Sequence, residues 1–128
     1  MKLNEICGYI LDGDKNAIPV SDIMEWANWF ESAKRAKLNV VGQDTLPDGT
    51  FVSTVFLGLD HNFFDSGIPI LFETMAFNMN KKGLDMSGTH QWRYATWKEA
   101  RQGHIKAITI ILGEKATAYI EKYDLKFE

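Results

Sequence analysis

The chain has 128 residues, with 14 Lys and Arg against 17 Asp and Glu, and a formal net charge of −3. This length suits one domain, residues 1–128, and a composition of 45% hydrophobic and 24% charged residues is typical of a globular protein rather than a disordered one. No apolar run approaches the ~18 residues that a membrane span needs, and the single cysteine, Cys7, excludes an internal disulfide and suits a reducing cytoplasm.

The charge balance argues against a binder of nucleic-acid polymers, which needs many phosphate contacts. Only three residues are arginine: Arg35, Arg93 and Arg101. A small anion needs only two or three local cations, so a small anionic ligand stays compatible with the composition.

The first element expected is a strand at Glu5–Leu11, which ends at a cluster of turn-forming residues, 12–16. The Asp-x-Asp-x-Asn spacing of this cluster is also that of the start of a calcium loop. Ala17 and Ile23 stand where such a loop requires glycine and glutamate. The sequence therefore predicts a turn rather than a calcium site.

A helix is expected next, because Ser21 and Asp22 are good N-cap residues and apolar residues follow at helical spacing to about Arg35. Strands are then predicted at Leu38–Gln43 and Phe51–Leu59. The Pro-Asp-Gly turn between them favours an antiparallel hairpin.

The second half of the chain predicts a loop at Asp60–Pro69 and a strand at Ile70–Phe77. The polar stretch Asn78–Thr89 is expected to be a loop, followed by a short strand at His90–Tyr94. Thr96 and Glu99 form a capping-box pattern, which opens a long C-terminal helix that Gly113 ends or bends.

These elements predict an α+β fold: an antiparallel sheet of about five strands with one internal helix and a long C-terminal helix, in the order β-α-β-β-β-β-α. The helices are expected to pack on one side of the sheet.

The sequence contains no Gly-x-Ser-x-Gly elbow, P-loop, Gly-x-Gly-x-x-Gly or His-Glu-x-x-His motif. This weakens the case for a hydrolase, an NTPase, a dinucleotide-cofactor enzyme or a zinc protease. His61, His90 and His104 are expected in a loop, a strand and a helix, and nothing in their spacing indicates a metal site. No metal and no cofactor are therefore predicted.

Glu73 has two interpretations. Strand alternation places it on the face of Leu71 and Met75, with Phe72 and Thr74 on the other face. A carboxylate on a mostly apolar face must be paired, protonated or part of a site. If the Phe72 face forms the core, Glu73 is simply exposed.

Several residues suit the recognition of a nucleotide. Arg93 stands between Trp92 and Tyr94, where a guanidinium group can clamp a phosphate while aromatic rings hold a base. Lys98 and Arg101 fall in the first turns of the last helix, whose N-terminus favours anions. The alternative roles are core packing for the aromatic rings and a solvated face for the cations.

Three stretches carry a resemblance: VSTVFLGLDH from Val52 to His61, PILFETMAF from Pro69 to Phe77, and WRYATWKEA followed by Gly103 and His104. Together with Tyr9–Asp12 and Trp26–Phe30, this pattern resembles a widespread family of small phage-encoded proteins. The resemblance extends over most of the chain to about residue 110.

The resemblance implies a phage anti-defence protein, similar to the sponges that bind the cyclic nucleotide signals of the bacterial CBASS system, such as 3′3′-cyclic GMP–AMP, without cleaving them. Such a protein acts in the host bacterial cytoplasm as a homo-oligomer, with a tetramer as one candidate assembly. The motif positions that suit contacts with a nucleotide are Ser53, Thr54, His61, Glu73, Arg93, Tyr94 and His104.

Two other functions stay open. The net negative charge and the tryptophans suit a protein-binding inhibitor of a host enzyme. A small hydrolase would use His61, Glu73 and His104, although no motif supports it.

Overall fold

The structure is a computed structural model that describes residues 6–62, 67–80 and 83–125. These residues form an α+β arrangement with a two-stranded sheet, a four-stranded antiparallel sheet and a long C-terminal helical region. The strands are β1 Gly8–Leu11, β2 Ala17–Val20, β3 Val40–Thr45, β4 Thr50–Phe56, β5 Phe72–Asn80 and β6 Gly83–Tyr94, and the helices are α1 Ile23–Ala36, α2 Trp97–Leu112 and α3 Ala116–Lys122.

The strands β1 and β2 pair in antiparallel fashion around a turn that Asp12 organises. Its Oδ1 accepts hydrogen bonds from the backbone N–H groups of Asp14 and Asn16, each at 2.9 Å, as in an Asx turn. Tyr9 lies opposite Pro19 in the register. The sequence prediction was wrong in omitting β2, because a four-residue strand that contains a proline carries little periodic signal. Glu5, the first residue of the predicted strand, lies outside the described residues.

The helix α1 confirms the predicted helix. The carboxylate of Asp22 accepts hydrogen bonds from the N–H groups of Met24 and Glu25, at 2.9 and 3.4 Å, so Asp22 is the N-cap. The helix ends where Lys37 adopts a left-handed conformation with φ of 58°.

The four-stranded sheet has the order β3-β4-β5-β6, and every neighbouring pair is antiparallel. The predicted hairpin is confirmed as β3 and β4. The predicted loop at 78–89 is wrong in its described part, because these residues continue β5 and β6 as a two-stranded ribbon. Backbone hydrogen bonds between two strands need no apolar periodicity, so polar residues there hide the strands from a sequence pattern.

The helix α2 packs across one face of the four-stranded sheet. Burial alternates along β4, with Val52, Thr54 and Phe56 buried against the helix side. The Phe72 side is therefore the core side. The opposite side is called here the open face, and it carries Gln43 and Thr45 of β3, Phe51, Ser53 and Val55 of β4, Glu73, Met75 and Phe77 of β5, and Gln91 and Arg93 of β6.

The predicted capping box opens α2. Thr96 Oγ1 accepts a hydrogen bond from the N–H of Glu99, and Glu99 Oε1 accepts one from the N–H of Thr96, both at 3.1 Å. Gly113, with φ of 58°, then ends α2, and a short 3-10 turn leads into α3. In the part of the chain that is described, no helix is long and apolar enough to cross a membrane.

The core contains two apolar clusters. One holds Leu11, Val41, Phe56, Leu71, Phe72 and Ala100, and the other holds Leu46, Val52, Ala76, Ala107, Ile108 and Tyr119. The first joins the β1–β2 hairpin and α1 to the sheet, because Trp29 and Phe30 of α1 contact the ring of Phe56. All three helices therefore lie on the same side of the four-stranded sheet.

We expect Gly58→Ala to lower the free energy of unfolding by more than about 2 kcal/mol, measured by urea denaturation. Gly58 has φ of 76°, and an added Cβ would collide with the ring of Phe30, which is packed against Trp26 and Phe56. The control is Gly13→Ala, where a Cβ meets no atom within 4 Å. Equal stability of the two variants would contradict this account of how α1 seats on the sheet.

Candidate functional site

Ser53, Glu73 and Arg93 all lie on the open face, where Glu73 and Arg93 pair with each other and Ser53 Oγ accepts a hydrogen bond from Gln43 Nε2 at 3.1 Å. Arg93 Nε donates to Glu73 Oε2 at 3.0 Å, and Gln91 Nε2 donates to the same oxygen at 2.8 Å. The Glu73 side chain is only 12% exposed. The Phe72 face is thus the core, but Glu73 is not simply exposed, as the second interpretation expected, because its carboxylate is largely buried and paired. The Arg93 charge is consequently balanced within the face.

Thr54 and Tyr94 lie on the strands that α2 covers, and His104 belongs to α2 itself. All three are therefore on the helix side of the sheet. The oxygens of Thr54 and Thr74 are 2.5 Å apart, and Thr54 Oγ1 is 2.7 Å from His104 Nδ1. Thr54 and Thr74 are fully buried and His104 is 2% exposed. A ligand therefore has no access to Thr54 or His104 in this arrangement.

These contacts are part of a line of hydrogen bonds that runs from Thr74 through Thr54, His104 and Asp44 to Tyr119. From His104 the line continues to the far edge of the sheet. His104 Nε2 is 2.6 Å from Asp44 Oδ2, and the Tyr119 hydroxyl donates to Asp44 Oδ1 at 3.1 Å. A carboxylate only accepts, so Nε2 carries the proton of this bond. Nδ1 accepts from the Thr54 hydroxyl when the imidazole is neutral, and donates to the Thr54 oxygen when the imidazole is protonated. In the described part of the chain every buried side-chain polar atom has a hydrogen-bond partner.

Local backbone features make room for this line. An added Cβ on Gly42 would lie 2.9 Å from the His104 ring, so only glycine lets β3 approach α2 this closely. The register of β3 shifts between Val40 and Gly42, and this bulge turns Asp44 toward the helix.

Packing shifts the pKa values of three ionisable groups on or beside the line: Asp44, Tyr119 and Tyr94. The hydrogen bond from His104, the largest cause, and the charges of His104 and Arg101 lower the pKa of Asp44, although burial opposes them. Burial raises the pKa of Tyr119, and the charge of Asp44 adds to the rise. Burial also raises the pKa of Tyr94, against a hydrogen bond with Thr74.

The residues of the hydrolase hypothesis do not converge. Glu73 lies on the open face and His104 on the helix side, so the sheet separates them. His61 lies in the segment after β4, where its N–H donates to the carbonyl of Ile70 at 2.8 Å. No group of three metal-ligating side chains is found among the residues that the structure describes.

A groove of about 640 Å³ opens at the start of α2, between this helix and the first hairpin. We call it the β1–α2 groove, and its lining includes Tyr9, Lys15, Pro69, Phe72, Trp97 and Lys98. Small-molecule sites commonly have volumes of ~300–1,000 Å³, so the groove has the size of a ligand site.

The chemistry of the groove combines aromatic rings with cations. Lys15 Nζ lies 4.9 Å from the centroid of the Trp97 ring, and the edge of this ring packs against Phe72 at 6.2 Å between centroids. Lys15 and Lys98 supply two ammonium groups against the one carboxylate of Asp14. The positive end of the α2 dipole lies at the same rim.

No protein-family profile, curated protein or solved structure matches the chain. The resemblance to small phage-encoded proteins therefore stays a prediction.

Sequence reasoning missed Asp44, Tyr119 and Lys15. Asp44 falls one residue beyond the predicted end of its strand, and its contact with His104 spans 60 residues. Lys15 sits in a turn, and only the fold brings it to Trp97. The one available signal was Gly42, because a glycine inside a strand often marks a bulge or a close approach.

We expect Thr54→Val to lower the free energy of unfolding by about 3 kcal/mol, because it leaves His104 Nδ1 and the Thr74 hydroxyl buried without this partner. The control is Thr45→Val, the same change at an exposed position of β3, which should stay within ~0.5 kcal/mol of the wild type. Urea denaturation measures both. A stability of Thr54→Val equal to that of the control would contradict a structural role for the line.

Acid should remove the contribution that the ionised Asp44 carboxylate makes to the free energy of unfolding. Its folded pKa lies below the reference value of 3.8, so its stabilisation is complete above the unfolded pKa and is lost as the pH falls through the folded pKa. The stability advantage of the wild type over Asp44→Asn should therefore narrow as the pH drops from about 5 to about 2.5. Urea denaturation across this range tests the prediction, and an advantage that stays constant or grows in acid would overturn it.

Proposed function

We propose that this protein binds and sequesters a cyclic dinucleotide immune signal, such as 3′3′-cyclic GMP–AMP, without cleaving it, as a phage anti-defence protein in the host bacterial cytoplasm. The observation that carries the proposal is the β1–α2 groove, whose lining combines the rings of Trp97 and Tyr9 with Lys15 and Lys98, and in which Lys15 Nζ lies over the Trp97 ring. The proposed ligand site is therefore the groove, and not the seven motif positions that the sequence suggested.

The aromatic part of the groove suits a base. A purine offers a flat apolar face, and stacking on an aromatic ring contributes ~1–3 kcal/mol per base. Trp97 is half-buried and meets the Phe72 ring in a T-shaped contact, which restricts the motion of its ring. A restricted ring loses little freedom on binding, which favours affinity.

The cations suit phosphate. Lys15 is attached to a turn that Asp12 fixes, and its ammonium group lies over the Trp97 ring. A base that stacks on this face of Trp97 takes the place of the ammonium group, which then turns to the phosphate. Lys98 lies in the first turn of α2, where the helix dipole adds to the attraction of an anion. This local positive charge lets a chain with a net charge of −3 take a small anionic ligand.

Binding without cleavage is consistent with the placement of the hydroxyl–imidazole–carboxylate line. Thr54 Oγ1 and His104 have the chemistry of a nucleophile and a base, but both are buried beneath α2. The line is accordingly a structural element, and a nucleotide in the groove does not reach it.

The affinity for 3′3′-cyclic GMP–AMP, measured by calorimetry, should fall about tenfold in Lys15→Gln and in Lys98→Gln, which corresponds to ~1.4 kcal/mol each. Lys115→Gln, an exposed lysine beyond the end of α2, is the matched control and should bind like the wild type. Heating the complex should release the nucleotide intact, as read by mass spectrometry.

Each contrary outcome has its own meaning. A loss of affinity in Arg93→Gln with no loss in Lys15→Gln would move the site to the open face. Recovery of a cleaved nucleotide would show an enzyme. An absence of binding to a panel of cyclic dinucleotides would overturn the proposal.

A protein-binding inhibitor of a host enzyme is the second candidate. The observation that favours it is a corner of exposed apolar side chains at the junction of β2 and α1. Ile18, Ile23 and Met24 are 40%, 65% and 63% exposed there. This candidate needs no nucleotide, so the calorimetry above separates the two.

A further inference from the structure

The open face of the four-stranded sheet carries an apolar centre. Phe51 and Val55 of β4 and Met75 and Phe77 of β5 all point away from α2, and the rings of Phe51 and Phe77 lie 5.6 Å apart. Antiparallel sheets with one solvated face usually place polar residues on it. On these two central strands four of the six open-face residues are apolar and half-buried, and the polar ones are Ser53 and Glu73.

The helices cover only the other side of this sheet. The ring of Trp29 in α1 meets Phe56, His104 of α2 meets Thr54, and Tyr119 of α3 meets Asp44; these three sheet residues face the core. Among the residues that the structure describes, no helix packs on the open face.

The charge of the open face points to the kind of partner. Among the side chains of this face that the structure describes, Glu73 and Arg93 carry charges and pair with each other, so this part of the face is neutral in a chain with a net charge of −3. Two copies of this chain repel each other least when they approach through a neutral surface. A nucleic acid or another strongly charged partner finds no matching charge there.

We propose that the open face binds the open face of a second copy, which gives a twofold dimer of two sheets packed face to face. This inference is independent of the nucleotide proposal, because the β1–α2 groove lies at the helix side of the sheet and stays open in such a dimer. The contact is isologous, so the apolar centre of one copy covers that of the other, at the ~10 Å spacing of stacked sheets.

The size of the face predicts a weak dimer. Four strands spaced ~4.8 Å apart and about six residues long cover roughly 19 by 20 Å. That footprint of roughly 380 Å² is about half of the ~800 Å² of accessible surface that a standard interface buries on each partner. We therefore expect dissociation in the micromolar range.

Sedimentation velocity from about 1 to about 200 µM tests the proposal. The wild type should pass from monomer to dimer, and Met75→Glu, which puts a carboxylate in the apolar centre, should remain a monomer. Met24→Glu on α1, where Met24 is 63% exposed, is the control and should still dimerise. A monomeric wild type, or a dimer that persists in Met75→Glu, would overturn the proposal.

A second pair of variants tests the same contact in case Met75→Glu is monomeric only because it fails to fold. Arg93→Glu leaves two carboxylates on each open face and should weaken the dimer at least tenfold. The exchange Glu73→Arg with Arg93→Glu keeps the face neutral and should restore the dimer. A dimer of wild-type strength in Arg93→Glu would contradict a contact through this face.

Discussion

A line of hydrogen bonds crosses the core from Thr74 through Thr54, His104 and Asp44 to Tyr119, and it separates the two apolar clusters. On each of β4, β5 and α2, one polar residue of this line lies between a member of one cluster and a member of the other. A buried hydroxyl or imidazole is costly without partners, so β4, β5 and α2 must meet in one relative position. A shift of β4 by one residue would carry Thr54 to the open face and leave Nδ1 of His104 without its partner.

This constraint leaves two surfaces for function. Polar chemistry that looks catalytic is used inside the protein to hold α2 on the sheet. The β1–α2 groove and the open face lie outside it, on opposite sides of the sheet, and each has its own chemistry: cations with aromatic rings in the groove, and a neutral apolar centre on the face. A ligand and a second copy can therefore be accommodated at the same time.

The sequence predicted the elements that local chemistry determines. The caps at Asp22 and Thr96 located both main helices, and the turn at 47–49 located the β3–β4 hairpin. The extension of β5 and β6 escaped prediction because polar strands in a ribbon have no apolar period. The candidate site was harder, because alternation alone does not show which face of β5 is buried. The packing of α2 decides which face is buried, and it leaves Glu73 on the open face and Thr54 in the core.

Pro19 has a consequence for how the chain behaves at high concentration. Tyr9 lies opposite Pro19 in the β1–β2 pair, and its N–H points away from β2 and donates to the carbonyl of Gly58. The backbone nitrogen of Pro19 therefore faces the outer edge of β2, where it has no hydrogen to offer. An exposed strand edge is a template for aggregation, and this proline interrupts the template at its middle. The small hairpin can thus stay at the surface, holding Lys15 over Trp97, without recruiting strands from other chains.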